Sequence, residues 1–113
     1  MRNMNLIHSF KIPKSDALYQ YSNPAEAQRQ AFRYLGEEGN IYKSMNPKKK
    51  YMIFNPNTQK WVYFGQMDPP MEDFLKHKDT ERRMKYLRRA IKIKGDWEDD
   101  PFSPNNLSIH ILW

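Results

Sequence analysis

Three histidines are the residues of this sequence whose type is best suited to metal binding or proton transfer. They are far apart in the chain, and no two have the i, i+4 spacing that places two ligands on one helical face. The sequence has no cysteine, which excludes thiolate catalysis, disulfides and Cys-ligated zinc. We therefore predict neither a metal site nor a bound cofactor. The histidines are His8, His77 and His110.

The residues His77, Lys78 and Asp79 have the types found in a metal-dependent nuclease centre. Adjacent residues on one backbone point in different directions, however, and the second carboxylate that a magnesium site needs is not evident. The other carboxylate pairs stand beside turns or charge runs, where a solvated role is usual. We expect no catalytic residue and no enzymatic activity. The pairs are Glu37-Glu38, Glu72-Asp73 and Asp99-Asp100.

A basic segment dominates the charge of the chain. Residues 76–94 contain nine Lys or Arg and two acidic residues, a charge of +7 in a chain whose total is +6. The apolar spacing predicts an amphipathic helix over about 79–94, with its apolar side on the core and its basic side outward. Such a helix binds phosphates, binds acidic protein groups or is simply a solvated face, and the acidic run at 96–100 favours a protein over a nucleic acid because it repels a phosphate backbone. The expected partner-binding residues are Arg82, Arg83, Lys85, Arg88 and Arg89.

The elements that position this helix predict a small α+β domain. Asn23 and Pro24 fit the cap and first position of a helix that ends near Leu35. The aromatic runs at 51–54 and 61–64 flank turn residues and predict a β-hairpin, with 40–43 as a candidate third strand. Two strands alone are marginal in water, so we expect the long basic helix to cover them. A short C-terminal helix is predicted near 104–112.

The N-terminal residues show no sustained helical or strand period. We interpret residues 1–22 as an extended arm and residues 23–113 as one small domain with a thin core. Since the arm has many large apolar side chains, it either packs over its own domain or lies on a neighbouring chain, and of the two we expect the neighbouring chain. Its expected partner contacts are Leu6, Ile7, Phe10 and Ile12.

Three motifs in the chain resemble a known group of proteins. They are KKYMIFNPNTQKWVYFGQM, EDFLKHKDTERRMKYLRRAIKIKGDW and SPNNLSIHILW, in this order. Together they resemble small basic proteins encoded by large nucleocytoplasmic DNA viruses of algae and protists. The resemblance covers roughly residues 40–113 and not the arm, and it implies a viral setting and a small module rather than a reaction. The matching residues are Phe64, Gly65, His77, Lys78, Asp79, Arg82, Arg83, Tyr86, Leu87, Arg89, Trp97, 103–108, Leu112 and Trp113.

In that setting we expect a structural protein of the virion, a minor capsid or cement protein that bridges larger capsid subunits. Its expected partners are capsid or other virion proteins. The alternative is a basic nucleic-acid-binding protein packaged near the viral genome. Both predict a location in the virion, and in the host cytoplasm or nucleus during assembly. No apolar run reaches the length of a membrane span, about eighteen residues, and the oligomeric state is left open.

Overall fold

A three-stranded antiparallel sheet, in the order β1-β2-β3, is the centre of this computed structural model, which describes residues 5–113. The strands are β1 (Ile41–Lys43), β2 (Lys49–Asn55) and β3 (Lys60–Gln66). In the β2-β3 hairpin, Tyr51 pairs with Phe64 and Phe54 with Trp61. The predicted α+β class, the hairpin and its third strand are therefore confirmed.

Helices begin where the sequence supplies a cap. The side chain of Asn23 accepts a hydrogen bond from the backbone N–H of Glu26, and Asp79 does the same for Glu81 and Arg82. These caps open α1 (Pro24–Leu35) and α3 (Thr80–Ala90), and between them lies the single turn α2 (Phe74–His77). The helix α4 (Pro104–Leu107) continues as a π-helical turn, Ser108–Leu112. Short 3-10 helices cover Ser9–Lys11, Ala17–Gln20, Gly36–Glu38 and Trp97–Asp99.

The C-terminal segment 104–112 closes the core over the sheet. Its residues Leu107, Ile111 and Leu112 are at most 1% exposed and lie in one cluster with apolar residues of the sheet. The expectation that the basic helix covers the hairpin is not confirmed. That helix ends at Ala90, and two residues of its predicted apolar stripe, Met84 and Ile91, are 51% and 59% exposed. The sheet residues of the cluster are Ile41, Tyr51, Ile53 and Phe64.

Residues 5–22 lie against the domain rather than forming an extended arm. Ile12 and Leu18 belong to the core cluster, and the backbone N–H of Lys43 donates to the carbonyl oxygen of Ile7 at 2.9 Å. The prediction that Ile12 contacts a partner is therefore wrong, because this side chain is 3% exposed in the core of its own domain. Leu6, Ile7 and Phe10 remain 40–48% exposed. Residues 1–4 of the predicted arm lie outside the described residues.

Candidate partner-binding surfaces

The outer side of α3 and the three residues that follow it form a basic surface that also contains apolar residues. Tyr86, Leu87 and Ala90 face the domain, whereas the residues between them are exposed. Within residues 5–113, Lys85, Arg88 and Arg89 form no ion pair. Three large apolar side chains lie among these cations, each more than half exposed. The basic surface comprises Met84, Lys85, Arg88, Arg89, Ile91, Lys92 and Ile93.

The other two predicted basic residues, Arg82 and Arg83, have contacts within the domain. The Arg82 side chain lies 3.2 Å from the carboxylate of Glu72, in an exposed ion pair. Arg83 donates through Nε to the backbone oxygen of Trp113 at 2.6 Å, and its guanidinium lies 5.1 Å from the ring centroid of Phe74. Of the five predicted basic residues, Lys85, Arg88 and Arg89 are therefore the ones that the basic surface presents.

Trp113 and His77 join α3 to the rest of the domain. The rings of Trp113 and Tyr86 are stacked at 4.0 Å, and the His77 ring lies 5.2 Å from that of Trp113. His77 Nδ1 accepts a hydrogen bond from the backbone N–H of Asp79, so the neutral ring has its proton on Nε2, which is buried without a partner among the described residues. Burial, together with the charge of Arg82, lowers the pKa of His77. The three residues His77, Lys78 and Asp79 thus build the turn between α2 and α3.

A line of aromatic rings forms a second exposed surface. Phe54 and Trp61 pair across the outer face of the sheet with their ring centroids 5.5 Å apart, and Trp61 contacts Tyr42 edge to face at 5.7 Å. The line continues through residues of the N-terminal segment to Phe32 of α1, with neighbouring centroids no more than 6.3 Å apart. This aromatic surface comprises Phe32, Phe10, His8, Tyr42, Trp61 and Phe54.

The aromatic residues of the hairpin divide between the core and the opposite face of the sheet. Strand alternation is the signal that separates them, because successive side chains point to opposite faces of a sheet. Tyr51 and Phe64 belong to the core cluster, whereas Phe54 and Trp61 lie on the opposite face of the sheet. Phe54 is accordingly 37% exposed.

A buried ion pair ties the segment before α2 to β2. Lys50 Nζ lies 3.2 Å from Asp73 Oδ2 and also donates to the carbonyl oxygen of Tyr21, and the side chains of Lys50 and Asp73 are 1% and 0% exposed. Burial lowers the pKa of Lys50 and raises that of Asp73, while each charge opposes the shift of the other. The prediction of a solvated Glu72-Asp73 pair is therefore wrong for Asp73. Breaking a pair of this kind leaves an uncompensated buried charge, so its role is structural.

Two clefts contain both ion-paired and unpaired charged side chains, since Lys14 and Lys76 of the larger cleft form no ion pair within residues 5–113. The larger, of about 690 Å³, contains Asp16, which lies 2.5 Å from Lys43, and Arg29, which pairs with Glu26 at 2.9 Å. The second, of about 550 Å³, is a groove where α1, α2, α3 and the C-terminal segment meet. Within residues 5–113, no group of three or more His, Cys, Asp or Glu residues is arranged to hold a metal ion.

A model of a family of unknown function (DUF5754) matches residues 39–90. The matched part, less than half of the chain, contains the sheet, α2 and α3. No match was found among the curated proteins or among the solved structures. None of the helices in residues 5–113 has the length and apolar composition that a membrane crossing requires. The viral resemblance and the structural role stay predictions.

Proposed function

We propose that the chain is a structural protein of a large DNA virus, a minor capsid or cement protein that bridges larger subunits. One observation carries this proposal: large apolar side chains are exposed on two surfaces that are built from different elements. Residues 5–113 include nine exposed large apolar residues, and six of them lie on the basic or the aromatic surface. Of the other three, Leu6 and Ile7 directly precede His8 of the aromatic surface in the chain. Met45 is not next to either surface in the sequence.

Two exposed surfaces suit a protein that links two partners. Aromatic side chains such as Trp61 and Tyr42 are common anchors at protein interfaces because they bury a large area at a small cost in side-chain entropy. The basic surface combines apolar contact with positive charge, which fits an acidic subunit surface. Capsid or other virion proteins are the partners we propose for both surfaces.

Nucleic acid is the second candidate partner for the basic surface. The exposed cations of the basic surface, three on α3 and Lys92 just after it, can neutralise phosphates, and this observation favours nucleic acid. Two others oppose it. Met84, Ile91 and Ile93 interrupt the cations with apolar area that a phosphate backbone does not use, and the exposed acidic residues of 96–100 follow directly. We therefore assign the basic surface to an acidic protein.

The decisive experiment is mass spectrometry of purified particles of the virus that encodes the chain. Stepwise disruption should separate the shell proteins from the DNA, and we expect the chain in the shell fraction. Its recovery with the DNA would favour the nucleic-acid candidate, and its absence from particles would contradict both.

Charge reversal tests the surface itself. The double variant Lys85→Glu/Arg88→Glu changes exposed residues that form no ion pair in the described structure, so it should abolish incorporation into particles without lowering the thermal midpoint of unfolding. The matched control is Lys48→Glu/Lys49→Glu, which makes the same change in net charge on the exposed residues at the start of β2 and should be incorporated normally. Equal loss with both variants would show an effect of net charge alone.

A further inference from the structure

The groove of about 550 Å³ beside α3 has a partly apolar wall and more cationic than acidic side chains. Glu26 is its one acidic residue among the described residues, and that carboxylate is paired with Arg29, which does not line the groove. Three cations lie around the opening, and none forms an ion pair within residues 5–113. These cations are Arg33, Lys78 and Arg83.

Two contacts fix the position of the Arg83 guanidinium. Its Nε–H donates to the backbone oxygen of Trp113 at 2.6 Å, and its guanidinium carbon lies 5.1 Å from the centroid of the Phe74 ring. These two contacts fix the guanidinium, while its terminal amino groups make no hydrogen bond to the described residues. A fixed guanidinium with free terminal N–H groups presents a planar donor pair that matches the two oxygens of a carboxylate. Because the side chain is already ordered, binding costs less rotamer entropy.

Lys78 adds a second charge beside the same ring. Its Nζ lies 5.7 Å from the Phe74 centroid, so two cations flank one aromatic side chain. The left-handed backbone of Lys78, with φ of 55°, ends α2 and turns the chain into α3. The sharp turn between the two helices therefore brings Lys78 and Arg83 to one groove.

Part of the groove wall is apolar, and the rest is polar or charged. Leu75, Leu87, Ile109 and Trp113 line the apolar part, so a ligand that uses the whole groove needs apolar groups next to its negative charge. An acidic peptide segment with apolar side chains has this composition. A nucleic acid places its charges along a continuous hydrated backbone and does not fill such a wall.

We propose that this groove binds an acidic, apolar segment of a partner protein, with a carboxylate on Arg83 and Lys78 and an apolar side chain against Leu87 and Trp113. This inference rests on the proposed function, because it specifies the partner chemistry of a protein that docks on virion proteins. It adds a third contact region that shares no residue with the basic or the aromatic surface.

Fluorescence anisotropy with the full chain tests the groove. The probe is a fluorescein-labelled peptide of alternating Glu and Leu, and the control probe has Gln in place of Glu. Removing a charge-assisted pair weakens binding by about tenfold or more, so Lys78→Gln and Arg83→Gln should each do so for the Glu peptide. Arg83→Lys keeps the charge without the planar donor pair and should also bind less tightly. Circular dichroism checks folding, and Lys78→Gln covers the case in which the Arg83 variants unfold.

The variant Lys85→Glu/Arg88→Glu separates this inference from the proposed function, since neither of its residues is among the three groove cations. It should bind the Glu peptide about as well as the wild type while failing to enter particles. Four outcomes would contradict the proposed peptide binding. Two concern the peptides: the Gln peptide binds as tightly as the Glu peptide, or Lys78→Gln binds the Glu peptide as tightly as the wild type does. The other two are Arg83-dependent binding of a DNA oligonucleotide that is tighter than that of the Glu peptide, and self-association of the chain through the groove, detected by sedimentation. The particle result is independent of all four.

Discussion

The helix α3 and the C-terminal segment 104–112 both have apolar residues at helical spacing, yet the second closes the core and the first lies at the edge of the domain. Leu107 is fully buried, whereas Met84 of α3 is 51% exposed. The C-terminal segment contains no Lys, Arg, Asp or Glu, so it can be surrounded by the core without removing an ionic charge from water. Charged residues occupy most positions of α3, so its deep burial has a large desolvation cost. The absence of ionic charge therefore decides burial more strongly than helical periodicity.

The sharpest test of this contrast is a pair of truncations. Leu107→Ala removes a fully buried side chain from the core and should lower the free energy of unfolding by about 2–5 kcal/mol. Met84→Ala removes an exposed one and should change it by less than about 0.5 kcal/mol. Urea unfolding of both variants measures the difference. Similar effects in the two would contradict the assignment of the C-terminal segment as the cover of the sheet.

A smaller effect is expected where the two regions meet. Trp113→Ala removes the ring that stacks on Tyr86 at 4.0 Å and contacts His77. We expect the free energy of unfolding to fall by about 2 kcal/mol, from lost apolar area and lost stacking. Amide hydrogen exchange should accelerate mainly in α3, because the sheet keeps its contacts with Leu107 and Ile111. Uniform acceleration across the sheet would show that Trp113 belongs to the main core instead.

Local signals in the sequence predicted much of the fold. Asn23 with Pro24 and the aromatic runs around 55–57 predicted α1 and the hairpin, because caps and turn chemistry act over a few residues. The contacts of the N-terminal segment with the core were not predicted by such local signals. Ile12 and Leu18 reach the core through two 3-10 helices, which have no long apolar period, so sequence periodicity misses them.

The candidate surfaces were less predictable because they depend on tertiary contacts. Lys85, Arg88 and Arg89 were expected on a basic face, and their exposure agrees with that expectation; partner binding by them stays a prediction. Nothing local to Arg83 shows that Trp113, thirty residues away, fixes its side chain. The groove also requires residues of α1 and of α3 to line one cleft, which no short-range pattern specifies.

The smallest expected effect is a pH dependence confined to α3. His77 has a pKa below its ordinary value of 6.5, with burial as the main cause and the charge of Arg82 as the next. The folded state therefore binds this proton less readily than the unfolded chain does. The corresponding stability is fully present above pH 6.5 and is lost as the pH falls from 6.5 through the depressed pKa. The charges of Asp79, Glu72 and Asp73 oppose this lowering of the His77 pKa.

Protonation of His77 also removes the acceptor of a specific contact. Nδ1 then carries a proton and can no longer accept the hydrogen bond from the backbone N–H of Asp79, the residue that caps α3. Acidification below pH 6.5 should therefore accelerate hydrogen exchange in α3 before it affects the segment 104–112. The variant His77→Gln lacks the titrating ring and should show a flatter dependence of stability on pH in this window. If wild type and variant gave the same pH profile, another group would have to be responsible, and the link between His77 and the α3 cap would be wrong.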